Sequence, residues 1–130
     1  MSKSFNGRVV TKGNLSGTAA VAAQKLDLTK ILEHQALQKD VEGKILCLPS
    51  AAVSNFGGLY LLTACKTGHA PAAMLFSDSI DTESASGILL ASNWLNHIII
   101  AVDQLGQEFL NSVKSGSKIE IKDTGEVIVS

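Results

Sequence analysis

The sequence predicts an α/β domain with a parallel β-α-β core and flanking antiparallel strands. Three observations carry that expectation. First, three apolar runs of strand length, Lys44–Leu48, Ala72–Phe76 and Ile98–Val102, are bounded by glycine, proline or polar clusters. Second, helix-length segments, Gly57–Lys66 and Ser84–Leu95, separate them. A helical crossover joins parallel strands and is right-handed. Third, the C-terminal stretch alternates apolar and polar residues in Lys118–Lys122 and again in Glu126–Ser130, around Asp123-Thr124-Gly125. Strict period two with a glycine turn predicts a hairpin with one wet face.

The other elements follow in chain order. Gly7-Arg8-Val9-Val10 reads as a first strand, ended by Lys12-Gly13-Asn14. Thr18–Ala22 reads as a second strand, with helix as the alternative because alanine favours it. Asp27 to Gln38 places Leu28, Ile31, Leu32 and Ala36 on one helical face, with Asp27 as N-cap. Thr67-Gly68 closes the Gly57 helix, and Pro71 follows the stop. Gly87 is a weak point in the next helix, and Gln104–Val113 reads as a short one.

Composition narrows the function classes. The 130 residues suit one domain over 1–130, and 45% apolar residues supply a real core. Aromatics are only 5%, so that core is aliphatic. A net charge of −1 without a basic cluster argues against nucleic-acid and anionic-membrane binding. No apolar run is long enough to span a bilayer, and the N-terminal residues lack a signal-type apolar region. Cys47 and Cys65 are far apart in apolar contexts, which suits core packing and a reducing compartment; a cytoplasmic location is expected.

The chemistry is sought between Leu48 and Gly68. A strand runs into Pro49, a stretch of small and polar residues follows, and Gly57-Gly58 opens a helix. Such a turn can hold an anion on unpaired N–H groups or aim a nucleophile. Ser54 is the candidate catalytic residue, activated by the helix N-terminus, with Asn55 to Gly58 as N–H donors. Gly57 and Gly58 permit close backbone approach to a ligand, and Ser50 offers a hydroxyl to a carboxylate. From the residues alone, the simpler reading is that Ser54 or Asn55 is an N-cap and nothing more.

Taken in order, these motifs resemble the small, swivelling subunit or domain of the aconitase X family. The resemblance rests on Gly7-Arg8-Val9-Val10 with Gly17-Thr18-Ala19, Gly43-Lys44-Ile45-Leu46 with Leu48-Pro49-Ser50, and Ser54 with Gly57. It continues through Gly68-His69-Ala70-Pro71-Ala72-Ala73 and closes on Gly116-Ser117-Lys118-Ile119 and Gly125-Glu126-Val127. It implies a swivelling β/β/α fold and a larger partner subunit that carries an iron or iron–sulfur centre, with no metal ligand in this chain. It also implies hydro-lyase action on a small hydroxy acid, in a family whose substrate classes include cis-3-hydroxyproline and phosphomevalonate. The family's turn serine, taken as the proton acceptor, falls on Ser54. The turn departs from the family pattern at Ala52 (a basic residue), Val53 (glycine), Asn55 (a hydroxyl residue) and Gly58 (serine).

Two other functions compete with that reading. One is a non-catalytic swivelling domain that binds a partner or a small anion. The other is a phosphohistidine carrier, for which His69 in Thr67-Gly68-His69-Ala70-Pro71 is the candidate; its place after a helix stop favours a surface loop instead. His34 and His97 read as structural or exposed, and Asp78, Asp81 and Glu83 as an acidic, solvated loop after a strand.

Overall fold

The structure is a computed structural model and describes residues 2–22, 43–50, 57–68 and 70–130. The helix expected over Asp27–Gln38 therefore lies outside the described residues. Eight strands and three helices are found among them. The first strands are β1 (Lys3–Asn6), β2 (Arg8–Thr11) and β3 (Leu15–Val21). The alternating core follows as β4 (Ile45–Leu48), α1 (Gly57–Thr67), β5 (Ala73–Phe76), α2 (Thr82–Trp94), β6 (Ile100–Asp103) and α3 (Gln107–Ser112). The hairpin strands β7 (Lys118–Ile121) and β8 (Glu126–Val129) close the chain.

All eight strands join one mixed sheet in the order β1-β8-β7-β3-β4-β5-β6-β2. The run β3-β4-β5-β6 is parallel, with Cys47 opposite Leu75 and Leu75 opposite Val102. Every other pairing is antiparallel. β3 is the junction. Its first half, Leu15–Thr18, pairs antiparallel with β7, and its second half, Ala19–Val21, pairs parallel with β4. The antiparallel strands are thus continuous with the parallel ones and reach a second layer only because the sheet curls.

The curl is nearly a closed barrel. β1 and β2 sit at opposite ends of the strand order, yet only Gly7 separates them in the chain. The Gly7 N–H donates to the Gly125 carbonyl at 3.1 Å, tying the ends together. A side chain at Gly7 has no room: a Cβ there would lie 2.5 Å from the Asp103 carbonyl oxygen.

Strand alternation splits the core in two. Ile45, Cys47, Leu75 and Val102 face the interior of the curl, where they meet Ile119 and Val127 of the hairpin. α3 plugs this interior with Phe109, whose ring meets Phe5 edge-on at a centroid distance of 5.5 Å. Leu46, Leu48, Met74 and Phe76 face the other way, under α1 and α2. Burying each such side chain contributes about 2 kcal/mol. The result is the β/β/α arrangement expected above: hairpin side, parallel strands, two helices.

Local signals set the helix ends. α1 stops at Gly68, whose φ of +83° is the left-handed conformation that glycine adopts without strain. α2 starts two residues earlier than its apolar pattern suggests because the Asp81 carboxylate accepts the Ser84 N–H at 2.8 Å. Asp81 is thus a cap and not merely part of a solvated loop. β6 begins at Ile100, and Ile98, expected inside a buried strand, is 58% exposed.

Candidate functional site

The parallel strands β4, β5 and β6 end on one edge, the carboxyl edge, where α/β proteins carry their ligands. The segments leaving that edge are laced together by backbone bonds. The Ser77 N–H donates to Leu48 O at 3.0 Å and the Asp78 N–H to Pro49 O at 3.2 Å. The Gln104 N–H reaches Asp78 O at 2.9 Å, and the Gly106 N–H reaches Ser77 O at 2.9 Å. Pairing therefore extends past the strands and fixes Pro49-Ser50 beside the loop after β5.

Of the residues expected to form the site, Ser50 is buried at this edge, and Gly57 and Gly58 open α1. No acidic residue lies in the first turn of α1, so its positive dipole end is not offset from within the helix. Ser54 and Asn55 lie outside the described residues, as do Ala52, Val53, His34 and His69. Surface cavities lie elsewhere among the described residues. One, about 180 Å³, includes Thr18, Lys44 and Ser115 in its lining; another, about 150 Å³, includes Lys3 and Ser112. Ser50 lines neither.

Sequence reasoning missed a charged pair at the same edge. Asp103, the last residue of β6, is fully buried. Its carboxylate accepts the Arg8 Nε–H at 2.9 Å and Nη2–H at 2.6 Å, a two-pronged fork, and the Ile80 N–H at 2.8 Å. The hydrogen bond to Asp103, and then its charge, raise the Arg8 guanidinium further above its usual range. The pair ties edge strand β2 to β6 and to the residue before the α2 cap. The available signal was an aspartate directly after an apolar strand, where burial demands a cation.

A second group was also missed. Ser84 is fully buried in the first turn of α2, and its Oγ has no hydrogen-bond partner among the described residues. Leaving such a hydroxyl unpaired costs about 1–3 kcal/mol.

Both cysteines are free and buried. Burial pushes the Cys47 thiol up to about 12 and the Cys65 thiol up to about 11. Metal ligation needs thiolates, and these two thiols pack in different cores, one inside the curl and one under α1 and α2. Among the described residues no cluster of histidine, cysteine and carboxylate side chains is placed to hold a metal ion.

The same shifts give a pH prediction. Both folded-state values lie above the ordinary thiol value of 9.0, so their contribution is complete below pH 9 and is lost as pH rises toward 11–12. Urea unfolding between pH 9.5 and 11 should show stability falling with pH. In Cys47→Ala the fall should be shallower by about 1 kcal/mol per pH unit. Equal slopes would mean that Cys47 ionises in the folded chain.

The fold and its carboxyl edge define a swivelling β/β/α domain. The family profile described as the aconitase X swivel domain matches residues 4–130, and the chain belongs to that family. The holo-form of aconitase X from Thermococcus kodakaraensis superposes with a TM-score of 0.81 at 22% identity, covering 98% of both chains. The solution structure of a UPF0107 protein gives 0.78 at 27% identity, covering 96% of this chain and 97% of that one. A muramoyltetrapeptide carboxypeptidase from Oxalobacter formigenes gives 0.55 at 15% identity and shares the fold over 48% of its length. No curated protein matches the chain. Among the described residues no helix is long and apolar enough to cross a membrane.

Proposed function

We propose that this chain is the small subunit of an aconitase X-type hydro-lyase, which dehydrates a small hydroxy acid together with a larger subunit. The observation that carries this reading is the match to the aconitase X swivel domain over residues 4–130. In this reading the carboxyl edge closes over the partner's site. Ser54, as alkoxide, takes a proton from the carbon beside the hydroxyl-bearing one; a double bond forms as hydroxide departs, and the proton now on Ser54 neutralises it to water, which restores the alkoxide. A free serine is a poor base, so the N–H groups at the start of α1 stabilise the alkoxide, while Ser50 and Asn55 bind substrate and Gly57 and Gly58 let it approach. The iron or iron–sulfur centre belongs to the larger subunit, and no step within this chain runs through it.

Affinity purification of the chain from its native cells, with iron analysis and dehydration assays on cis-3-hydroxyproline and phosphomevalonate, tests the proposal. An iron-bearing large partner and water elimination are expected. Ser54→Ala should lower kcat by about a hundredfold or more with the complex intact. A stable complex that is inactive, and unchanged by Ser54→Ala, would favour a second reading, a non-catalytic swivelling subunit. Ala52, at the family's cation position, motivates that alternative. Recovery of the chain without any partner would reject both.

A further inference from the structure

The outward face of α2 is poorly suited to water. The 19 residues from Ser84 to Val102 hold no aspartate, glutamate, lysine or arginine, although such residues make up 18% of the chain. α1 carries Lys66 and α3 carries Glu108, as helices facing solvent do. On α2 the acidic residues Asp81 and Glu83 stand only at the start, at the far end from Trp94. Ile88 and Ala91 bury one face of α2 in the cluster shared with α1 and the sheet. Ser86, Leu89 and Asn93, spaced three and four apart, form an exposed stripe away from it, and Trp94 beside them is 71% exposed. After the helix, Asn96 takes a left-handed φ of +50° and the His97 N–H returns to the Ala91 carbonyl at 3.1 Å. The chain thus folds back on the last turn, and Ile98 is exposed at the same end as Trp94. A tryptophan among uncharged neighbours is the composition of an interface core, where aromatic side chains are enriched and charges depleted.

We propose that this face of α2 is a self-association surface, covered by a second copy of the chain about a two-fold axis. Charge and hydrogen-bonding capacity point to a copy rather than to an unlike partner. About a two-fold axis a patch meets itself, so a carboxylate or an ammonium near the axis meets its like. An unlike partner can set an opposite charge against each charge and needs no such neutrality. Here the stripe is neutral along its length. Its polar groups, the Ser86 hydroxyl and the Asn93 and Asn96 carboxamides, both donate and accept, so each can pair with its own kind. Leu89, Trp94 and Ile98 then leave water together, which supplies the driving force. Self-association concerns the chain alone and is independent of the dehydratase reading.

Sedimentation equilibrium of the full 130-residue chain, from micromolar to submillimolar concentration, should show a monomer–dimer equilibrium. Trp94 is the single tryptophan of the sequence, so its emission should move to the blue as the dimer forms. Trp94→Glu removes the largest apolar contact and sets like charges across the axis, and should weaken the dimer about tenfold or more. Asn93→Asp changes almost no volume and adds only a charge beside its copy, so it should weaken the dimer as well. Both side chains are exposed, and both variants should melt where dilute wild type melts. A wild-type chain that stays monomeric at submillimolar concentration would overturn the proposal, and shielding of Trp94 by a larger subunit would then assign the face to that partner. A dimer that both variants leave intact, or one that forms without a change in tryptophan emission, would overturn it too.

Discussion

Asp103→Ala should cost the chain about 2 kcal/mol of stability, chiefly from the buried amide it leaves unpaired. The carboxylate is fully buried and is the shared acceptor for two Arg8 donors and the Ile80 N–H. Its removal leaves the Ile80 amide without that partner and frees Arg8 from its fork. It also releases β2, the strand whose pairing with β6 completes the curl, and loosens the entry to α2. Urea unfolding would give the magnitude, and hydrogen exchange would localise it, with the Ile80 amide and β2 exchanging faster than in wild type. Asp103→Asn should fall between, because an amide oxygen can still accept while its NH2 faces a donor. A loss below about 1 kcal/mol for Asp103→Ala would mean that solvent compensates the pair and that it does not pin the edge.

Gly7→Ala should be comparably severe, about 3 kcal/mol. Its cause is space rather than backbone conformation. The new Cβ would sit 2.5 Å from the Asp103 carbonyl oxygen, 2.7 Å from Val102 Cγ1 and 2.9 Å from Leu105 Cδ2. The first of these is backbone, so relief requires pulling β2 off β6 or breaking the Gly7–Gly125 link. Gly116→Ala is the internal comparison. Gly116 has a φ of +94° with nothing near its absent Cβ, so alanine there meets only conformational strain of about 1 kcal/mol. Thermal unfolding of the two variants separates the effects. Equal losses would show that the barrel closure yields to a methyl group.

The two predictions concern features that could be read from the chain only in part. Gly7 was read as the first residue of a strand, and β1 went unrecognised because Lys3–Asn6 is short, polar and stabilised by Val127 and Val129 at the far end of the chain. Arg8 and Asp103 lie 95 residues apart, and nothing local in either links them. By contrast, the start of α1 at Gly57 and its stop at Gly68 were legible because caps and breakers act within one turn. Ile98 was misassigned to a strand because an apolar residue beside β-branched ones carries no mark of which side faces water.

By itself the sequence determined the alternation of buried strands and helices, the hairpin with one wet face, and the family. Those properties depend on period, composition and turn chemistry over a few residues, which a linear reading captures. Only the tertiary structure decided that one mixed sheet curls almost shut, that β3 serves two partners in opposite senses, and that Asp103 is buried against Arg8. It alone left the Ser84 hydroxyl buried without a hydrogen-bond partner among the described residues. These depend on which distant strand supplies the next row of hydrogen bonds, and burial follows from that choice rather than from the identity of any one residue.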